Sequence, residues 1–201
     1  YKRQSVYSAV AAFALEQRLG DVADRALLLA GLARGTCRVT GLLHSDDTQV
    51  MMTALQQLGA SFAWEDDGAT LAVTGNGGAF RRPTAPLYLS NAGTATRFLI
   101  TVATLLKPSE SEEEGTACPV TTLTGSRRMF ARPQGPLVDA LRANGGARIR
   151  CTGEEGHLPL EIAGTGLRGA PVDAEGWSVF KLAGKVSSQF VSSLILSAPF
   201  A

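Results

Sequence analysis

Apolar positions along the first part of the chain change spacing several times, from the helical period of about 3.6 residues to the alternation of a strand. In chain order, the spacing predicts helices over 1–19 and 25–32, a strand over 36–40, a helix over 45–58, and strands over 61–64 and 70–74. Ser45 is the expected N-cap of the third helix, and Asp46 with Gln49 has the spacing of a capping box. The acidic turn Glu65–Gly68 between the last two strands predicts a hairpin.

The same order of elements returns further along the chain. The spacing predicts a strand over 87–89, a helix over 94–106, a strand over 120–123, a helix over 136–144, and a hairpin of strands 147–151 and 158–163. Ala54–Ala60 also aligns with Ala140–Gly146 in sequence. We infer a repeated unit of roughly 70 residues. A third copy is expected from Gly169, with a strand over 179–183 and a helix over 187–197.

Composition narrows the class of protein. Hydrophobic residues make up 45% of the 201 positions, which supports a sizeable core. The net charge of +1 argues against a dedicated nucleic-acid or acidic-membrane surface. Cys37, Cys118 and Cys151 lie far apart and only two histidines occur, so no metal site is expected. Without a signal peptide or an apolar run of ~20 residues, the chain is expected to be cytoplasmic.

Two features suggest that the sequence belongs to a longer polypeptide. It begins at Tyr1 instead of a methionine, and it stops just after a helix-like run. The polar, acidic segment Lys107–Ala117 is expected to be a solvated loop.

The segment 87–99 carries the first candidate site. A short apolar run ends at Ser90-Asn91, and a helix pattern with Arg97 follows. Free N–H groups and the positive end of a helix dipole favour an anion at such a turn. Gly93 allows close approach, and Asn91 and Thr94 are suited either to cap the helix or to bond a ligand. A capped helix with a solvated arginine is the simpler interpretation of this segment alone.

Two further segments have the same character. Thr124–Pro133 follows a strand and holds Arg127, Arg128 and Arg132 within six residues. Arginine binds phosphate and carboxylate through a planar fork, although a basic surface loop is an equal alternative here. Ser187–Gln189 offers two hydroxyls and an amide at a helix start, where an N-cap would account for one serine only.

Together these segments resemble EPSP synthase (3-phosphoshikimate 1-carboxyvinyltransferase), most closely the EPSP synthase segment of fungal-type pentafunctional arom polypeptides. The matching residues are 25–30, 43–48, 91–97, 123–133, 137–141 and 186–190. The resemblance implies an α/β fold of two lobes, each with three βαβαββ units. This chain would supply most of one lobe over 21–201, in units of about 21–80, 81–166 and 167–201, after a divergent helical segment over 1–20.

The family reaction transfers the enolpyruvyl group of phosphoenolpyruvate to the 5-hydroxyl of shikimate 3-phosphate and releases phosphate. It needs no metal or organic cofactor. Glyphosate occupies the phosphoenolpyruvate pocket in sensitive members.

The resemblance also assigns residues to each substrate. Shikimate 3-phosphate would be bound by Arg25, Ser187, Ser188 and Gln189. Phosphoenolpyruvate would be bound by Asn91, Gly93, Thr94, Arg97, Arg128 and Gln189. The catalytic residues of the family lie in the other lobe, so none is expected in this chain. Expected partners are the two substrates, the second lobe and other arom domains, with no nucleic acid and no membrane.

One departure leaves alternatives open. The family has a Pro-Gly-Ser-Lys-Ser-type loop before the arginine matched by Arg25, whereas this chain has Leu19-Gly20-Asp21-Val22-Ala23-Asp24. Asp21 and Asp24 are expected to repel anions at that point. A non-catalytic remnant or a wrongly joined gene segment is therefore an alternative. UDP-N-acetylglucosamine enolpyruvyltransferase is a further alternative that fits the motifs less well.

Overall fold

The computed structural model describes residues 20–106, 120–145, 147–164, 166–167, 174–175, 180–182 and 187–200. The chain divides into two compact units, Tyr1–Thr84 and Ala85–Ala201. The predicted helix over 1–19 and the predicted loop over 107–117 lie outside the described residues.

The first unit packs two helices on a small antiparallel sheet. Its elements are α1 (Gly20–Leu32), β1 (Arg34–Thr40), α2 (Asp46–Gln57), β2 (Ser61–Glu65) and β3 (Thr70–Asn76). The strand order is β1-β3-β2. Leu27, Leu28, Leu55 and Leu71 are fully buried between the layers. The burial of these side chains is the main stabilising contribution to this unit.

Helix α2 begins as expected but with a different capping pair. Ser45 is the N-cap, and its Oγ accepts a hydrogen bond from the Thr48 N–H at 3.3 Å. The Thr48 hydroxyl accepts one in return from the Ser45 N–H at 3.1 Å. The predicted pair Asp46 and Gln49 is wrong, because the third helical residue after a Ser45 cap is Thr48.

The second unit has the same helix and strand order, with one element added at each end and a short helix inserted after its second strand. Its elements are β4 (Leu87–Tyr88), α3 (Gly93–Leu105), β5 (Val120–Thr124), α4 (Arg127–Phe130), α5 (Gly135–Gly145), β6 (Arg148–Cys151), β7 (Leu160–Ala163) and α6 (Ser188–Ser197). The sheet order is β4-β5-β7-β6. Strands β4 and β5 are parallel, whereas β5 and β6 both pair antiparallel with β7.

Each unit thus presents a helix, a strand, a second helix and a hairpin, with the last strand in the middle. In both units a glycine packs against the C-terminal end of the first helix. Gly75 lies against the carbonyls of Ala30 and Ala33, and Gly164 lies against the carbonyl of Leu106, so closely that a β-carbon would overlap them. This shared packing supports the repeat inferred from the sequence. The three-unit boundaries remain a prediction.

The third copy is only partly as predicted. The helix predicted over 187–197 is confirmed as α6, which starts at Ser188 with Ser187 as its N-cap. The predicted strand over 179–183 is wrong at Phe180–Leu182, which lie in no strand, because no described strand pairs with them. The other residues of that prediction lie outside the described part. No described helix has the length and apolar character needed to cross a membrane.

Candidate functional site

The candidate site begins where β4 and β5 end. Because these strands are parallel neighbours, the loops that follow them leave the same edge of the sheet. The Ser126 N–H donates to the Ser90 carbonyl at 2.8 Å, which ties the two loops together. A β-carbon on Gly125 would lie 2.8 Å from that carbonyl oxygen, so the close approach requires glycine there.

Helix α3 begins at this edge of the sheet, and the side chain of its N-cap residue forms no capping hydrogen bond. Its N-cap is Ala92, and its first turn contains no acidic residue. The alternative in which Asn91 or Thr94 caps the helix is therefore wrong, because the cap position falls on a residue whose methyl side chain accepts no hydrogen bond. The positive end of the helix dipole is left without a side-chain acceptor at the cap.

Gln189 links α3 to the start of α6. Its Nε2 donates to Thr94 Oγ1 at 2.9 Å, and its Oε1 accepts a hydrogen bond from Nη1 of Arg97. The amide orientation follows from chemistry, because arginine can only donate and must face the oxygen. The structure therefore brings together three of the residues that the resemblance assigned to substrates, although they lie up to 95 positions apart.

The start of α6 places two serines beside this link. Ser187 is the N-cap, and its Oγ accepts from the Gln189 N–H at 3.2 Å. Ser188 is exposed, and its hydroxyl forms no hydrogen bond with another described residue. The buried Phe190 ring lies 5.3 Å from the Arg97 guanidinium carbon, which holds the cation by a cation–π contact. Ser187 thus has a structural role, while capping does not account for Ser188.

Arg128 extends from the short helix α4, which follows the β5 loop and is capped by Ser126. Its side chain is exposed and forms neither a hydrogen bond nor an ion pair with the described residues. Other arginines of the described chain differ: Arg38, Arg142 and Arg150 each pair with a glutamate. An arginine without a carboxylate partner retains its full capacity to bind an anion.

Arg132 is a site residue that the sequence did not assign. Its Nη1 donates to the Asn91 carbonyl at 3.0 Å, and its guanidinium lies directly over Gly93. The available signal was the run of three arginines in the loop 124–133, which did not show which of them would turn back onto α3.

Arg25 lies in the first unit, on helix α1. It is half-buried on α1, and its Nη1 donates to the Asp21 carbonyl at 3.2 Å. Neighbouring Asp24 is 1% exposed, and neither carboxylate oxygen has a hydrogen-bond partner among the described residues. Burial raises the pKa of Asp24 to about 7, and the charges of Asp47 and Asp21 add to this effect. Of the two acidic residues expected to repel anions, only Asp21 is exposed.

The described residues contain no group of three or more histidine, cysteine or acidic side chains arranged to hold a metal ion. Cys37 and Cys151 are free thiols, and burial raises the pKa of Cys37. The chemical character of the site is therefore cationic and hydrogen-bonding.

The second unit is α/β and brings an arginine and two helix N-termini together, an arrangement typical of anion-binding sites. The chain belongs to the EPSP synthase (3-phosphoshikimate 1-carboxyvinyltransferase) family, whose model matches residues 20–201. The resemblance stated from the sequence is confirmed.

Comparison with the sequences and structures of known proteins supports this assignment. The chain is 54% identical over 183 residues to the pentafunctional AROM polypeptide of Schizosaccharomyces japonicus, which covers 90% of this chain and 10% of that protein. It is 50% identical over 183 residues to that of Yarrowia lipolytica, covering 90% and 11%. The EPSP synthase from Acinetobacter baumannii has a TM-score of 0.69 at 25% identity, over 89% of this chain and 36% of that one. The chain thus spans about a tenth of these AROM relatives.

Proposed function

We propose that this chain is the part of an EPSP synthase lobe that binds shikimate 3-phosphate and phosphoenolpyruvate for enolpyruvyl transfer. The observation that carries the proposal is the Gln189 link, which joins the first turn of α3 to that of α6. This link brings the N-termini of α3 and α6 together with Arg97 in the second unit. Both substrates carry several negative charges, and such an arrangement offsets their mutual repulsion.

The start of α6 is the proposed shikimate 3-phosphate side. The hydroxyls of Ser187 and Ser188 would donate to the 3-phosphate, and by resemblance the Gln189 amide would contact both substrates. This assignment is supported by the exposed Ser188 hydroxyl, which no described residue occupies. Arg25, by resemblance, would bind the ring and its carboxylate.

The start of α3 is the proposed phosphoenolpyruvate side. Arg128 would supply an exposed guanidinium, and Arg97 a second one held by Gln189 and Phe190. Asn91, Gly93 and Thr94 would shape the pocket around the helix start. The positive charge in this region would stabilise the phosphate that leaves when the enolpyruvyl group is transferred to the 5-hydroxyl.

The rest of the reaction requires parts of the protein beyond these residues. The proposed second lobe supplies the catalytic residues and closes over the substrates, and further AROM-type domains are proposed partners. We place the protein in the cytoplasm, and the proposed reaction uses no metal or organic cofactor. This chain alone is expected to bind shikimate 3-phosphate without turnover.

Calorimetric titration of the chain with shikimate 3-phosphate tests the proposal. We expect saturable binding that is lost in the Ser187→Ala/Ser188→Ala variant and absent with UDP-N-acetylglucosamine. Binding that survives the double substitution would contradict the assigned site, and saturable binding of the sugar nucleotide would favour the related transferase.

A second candidate, the non-catalytic remnant, is favoured by one observation. Asp24 is a buried carboxyl without a described hydrogen-bond partner, directly before Arg25. A folded chain that fails to bind shikimate 3-phosphate would support this candidate. A Gly-Ser-Lys-Ser segment directly before Arg25 in the full transcript would eliminate it.

A further inference from the structure

The position of Arg132 has a consequence for the candidate site. Its guanidinium lies so close to Gly93 that a β-carbon there would be 2.6 Å from Cζ and 2.7 Å from Nη1. A side chain at position 93 would displace the guanidinium, which can move because it is the far end of a flexible side chain. The glycine leaves room for the guanidinium, and the guanidinium fills the space that a side chain at 93 would need.

Few described contacts balance the charge of Arg132. Its Nη1 donates to the Asn91 carbonyl at 3.0 Å, and its backbone N–H donates to the Met129 carbonyl at 3.0 Å. No described carboxylate forms an ion pair with it, in contrast to Arg142 and Arg150 of the same unit. Its cation is held in place mainly by a neutral carbonyl oxygen.

The location of this cation is electrostatically unfavourable in the absence of a ligand. Arg132 lies at the N-terminal turn of α3, where the partial charge of the helix is positive and acidic side chains are stabilising. The first turn of α3 contains no acidic residue, and its cap has no side-chain acceptor. An anion bound at this turn would contact both the guanidinium and the helix start, which converts the repulsion into attraction.

We propose that Arg132 is a further anion-binding residue for phosphoenolpyruvate, placed over the start of α3 where Gly93 leaves room for its guanidinium. This inference rests on the proposed function and adds a residue to the same site. It assigns to Arg132 a direct contact with the phosphate or carboxylate group of phosphoenolpyruvate. Shikimate 3-phosphate, proposed to bind at α6, is not expected to depend on it.

Binding to the 201-residue chain tests the assignment. The variants are Arg132→Ala, Arg132→Lys, Arg128→Ala as the reference for a lost ligand, and Arg148→Ala as a charge-matched control on the exposed face of β6. Phosphoenolpyruvate affinity is measured by phosphorus NMR with shikimate 3-phosphate present, and shikimate 3-phosphate affinity is measured separately by calorimetry.

We expect Arg132→Ala to weaken phosphoenolpyruvate binding about tenfold or more, and to leave shikimate 3-phosphate binding within about twofold. Arg132→Lys should recover part of the loss, because it keeps the charge without the planar fork. Arg148→Ala should bind as the wild type does. Unchanged phosphoenolpyruvate affinity in Arg132→Ala, alongside a loss in Arg128→Ala, would overturn the inference and leave the proposed function standing. A wild-type chain that binds neither substrate would overturn both.

Discussion

In the first unit, α1 starts with Asp21 and Asp24 in its opening turns, whereas α3 of the second unit starts at Gly93 with no acidic residue there. Each helix carries an arginine shortly after its start, Arg25 or Arg97. Yet Arg97 is held by a neutral amide and an aromatic ring, while the carboxyl beside Arg25 is buried without a described hydrogen-bond partner.

The two helices are alike at their other ends. Each is met by a glycine, Gly75 or Gly164, that allows a strand to approach the last carbonyls of the helix. The repeated unit therefore keeps the contacts that hold helix to sheet and varies the N-terminal turn, where a ligand would bind. The difference teaches that a common scaffold can present one helix start that favours an anion and another that opposes it.

The largest loss of stability is expected at the glycine that packs against the end of the first helix in each unit. Gly164→Ala should lower the free energy of unfolding by about 3 kcal/mol or more, because the new β-carbon would overlap the Leu106 carbonyl oxygen and the backbone must shift. Gly75→Ala should have a comparable effect in the first unit, where the Ala30 and Ala33 carbonyls stand in the way. Denaturant unfolding of both variants measures this.

Gly35→Ala is a suitable control for strain without overlap. Gly35 has a φ of +86°, but nothing lies within 4 Å of an added β-carbon. The decrease in the free energy of unfolding of Gly35→Ala should reflect backbone strain alone, about 1 kcal/mol. If Gly164→Ala were no more destabilising than this control, the close approach would not be a shared structural requirement.

The regularly patterned elements of both units could be predicted from the sequence, and the side-chain contacts of the site could not. The apolar stripe of α3 and the strand of β5 lie within one residue of their predicted bounds, since the local spacing determines them. The contacts of Gln189 with Thr94 and Arg97 depend on how α6 packs on α3, which local spacing does not contain.

The sequence also did not predict that the acidic residue Asp24 is buried. Asp24 precedes an apolar helix face, and its sequence position alone suggested an exposed acid that repels anions. In the fold it is 1% exposed, because α1 turns that position towards the inside of the first unit. A single charged residue in an amphipathic pattern does not reveal how its side chain is directed.

The second prediction removes the buried acid from α1. Since the folded-state pKa of Asp24 is raised from 3.8 to about 7, the stability it contributes is fully present below about pH 4 and is lost as the pH rises through about 7. Asp24→Asn should therefore be more stable than the wild type at pH 8 by about 1–3 kcal/mol, with a difference that shrinks as the pH is lowered towards 4. Denaturant unfolding across this pH range measures the difference.

Asp21→Asn is the matched control for that experiment, because Asp21 is an exposed acid on the same helix. It should change the pH profile little. A stability difference between Asp24→Asn and the wild type that is constant from pH 5 to pH 8 would contradict the assigned titration.

The third prediction concerns a substitution that adds a carboxylate to the first turn of α6, which has no acidic residue. In Gln189→Glu the new acid would still accept a hydrogen bond from Arg97, so the melting temperature should not fall. Affinity for shikimate 3-phosphate and phosphoenolpyruvate should fall about tenfold or more, roughly 1.4 kcal/mol, because the added charge repels both anions. Calorimetry and thermal unfolding of the same variant separate the two effects.

Gln189→Met serves as the uncharged comparison. It removes the amide hydrogen bonds to Thr94 and Arg97 without adding charge, so it should lower stability more than Gln189→Glu and affinity less. The reverse pattern would show that the charge of this helix start is unimportant for binding.

The smallest expected effect separates the structural role of a serine from its proposed ligand role. Ser187→Ala removes the N-cap of α6 and should cost about 1 kcal/mol of stability, since its Oγ accepts the Gln189 N–H at 3.2 Å. Ser188→Ala should leave stability unchanged, because that hydroxyl is exposed and bonded to no described residue. Under the proposed function both substitutions weaken shikimate 3-phosphate binding. Only an equal loss of affinity with an unequal loss of stability fits a phosphate held by both hydroxyls; a loss of affinity confined to Ser187→Ala would mean that the helix cap alone supports the site.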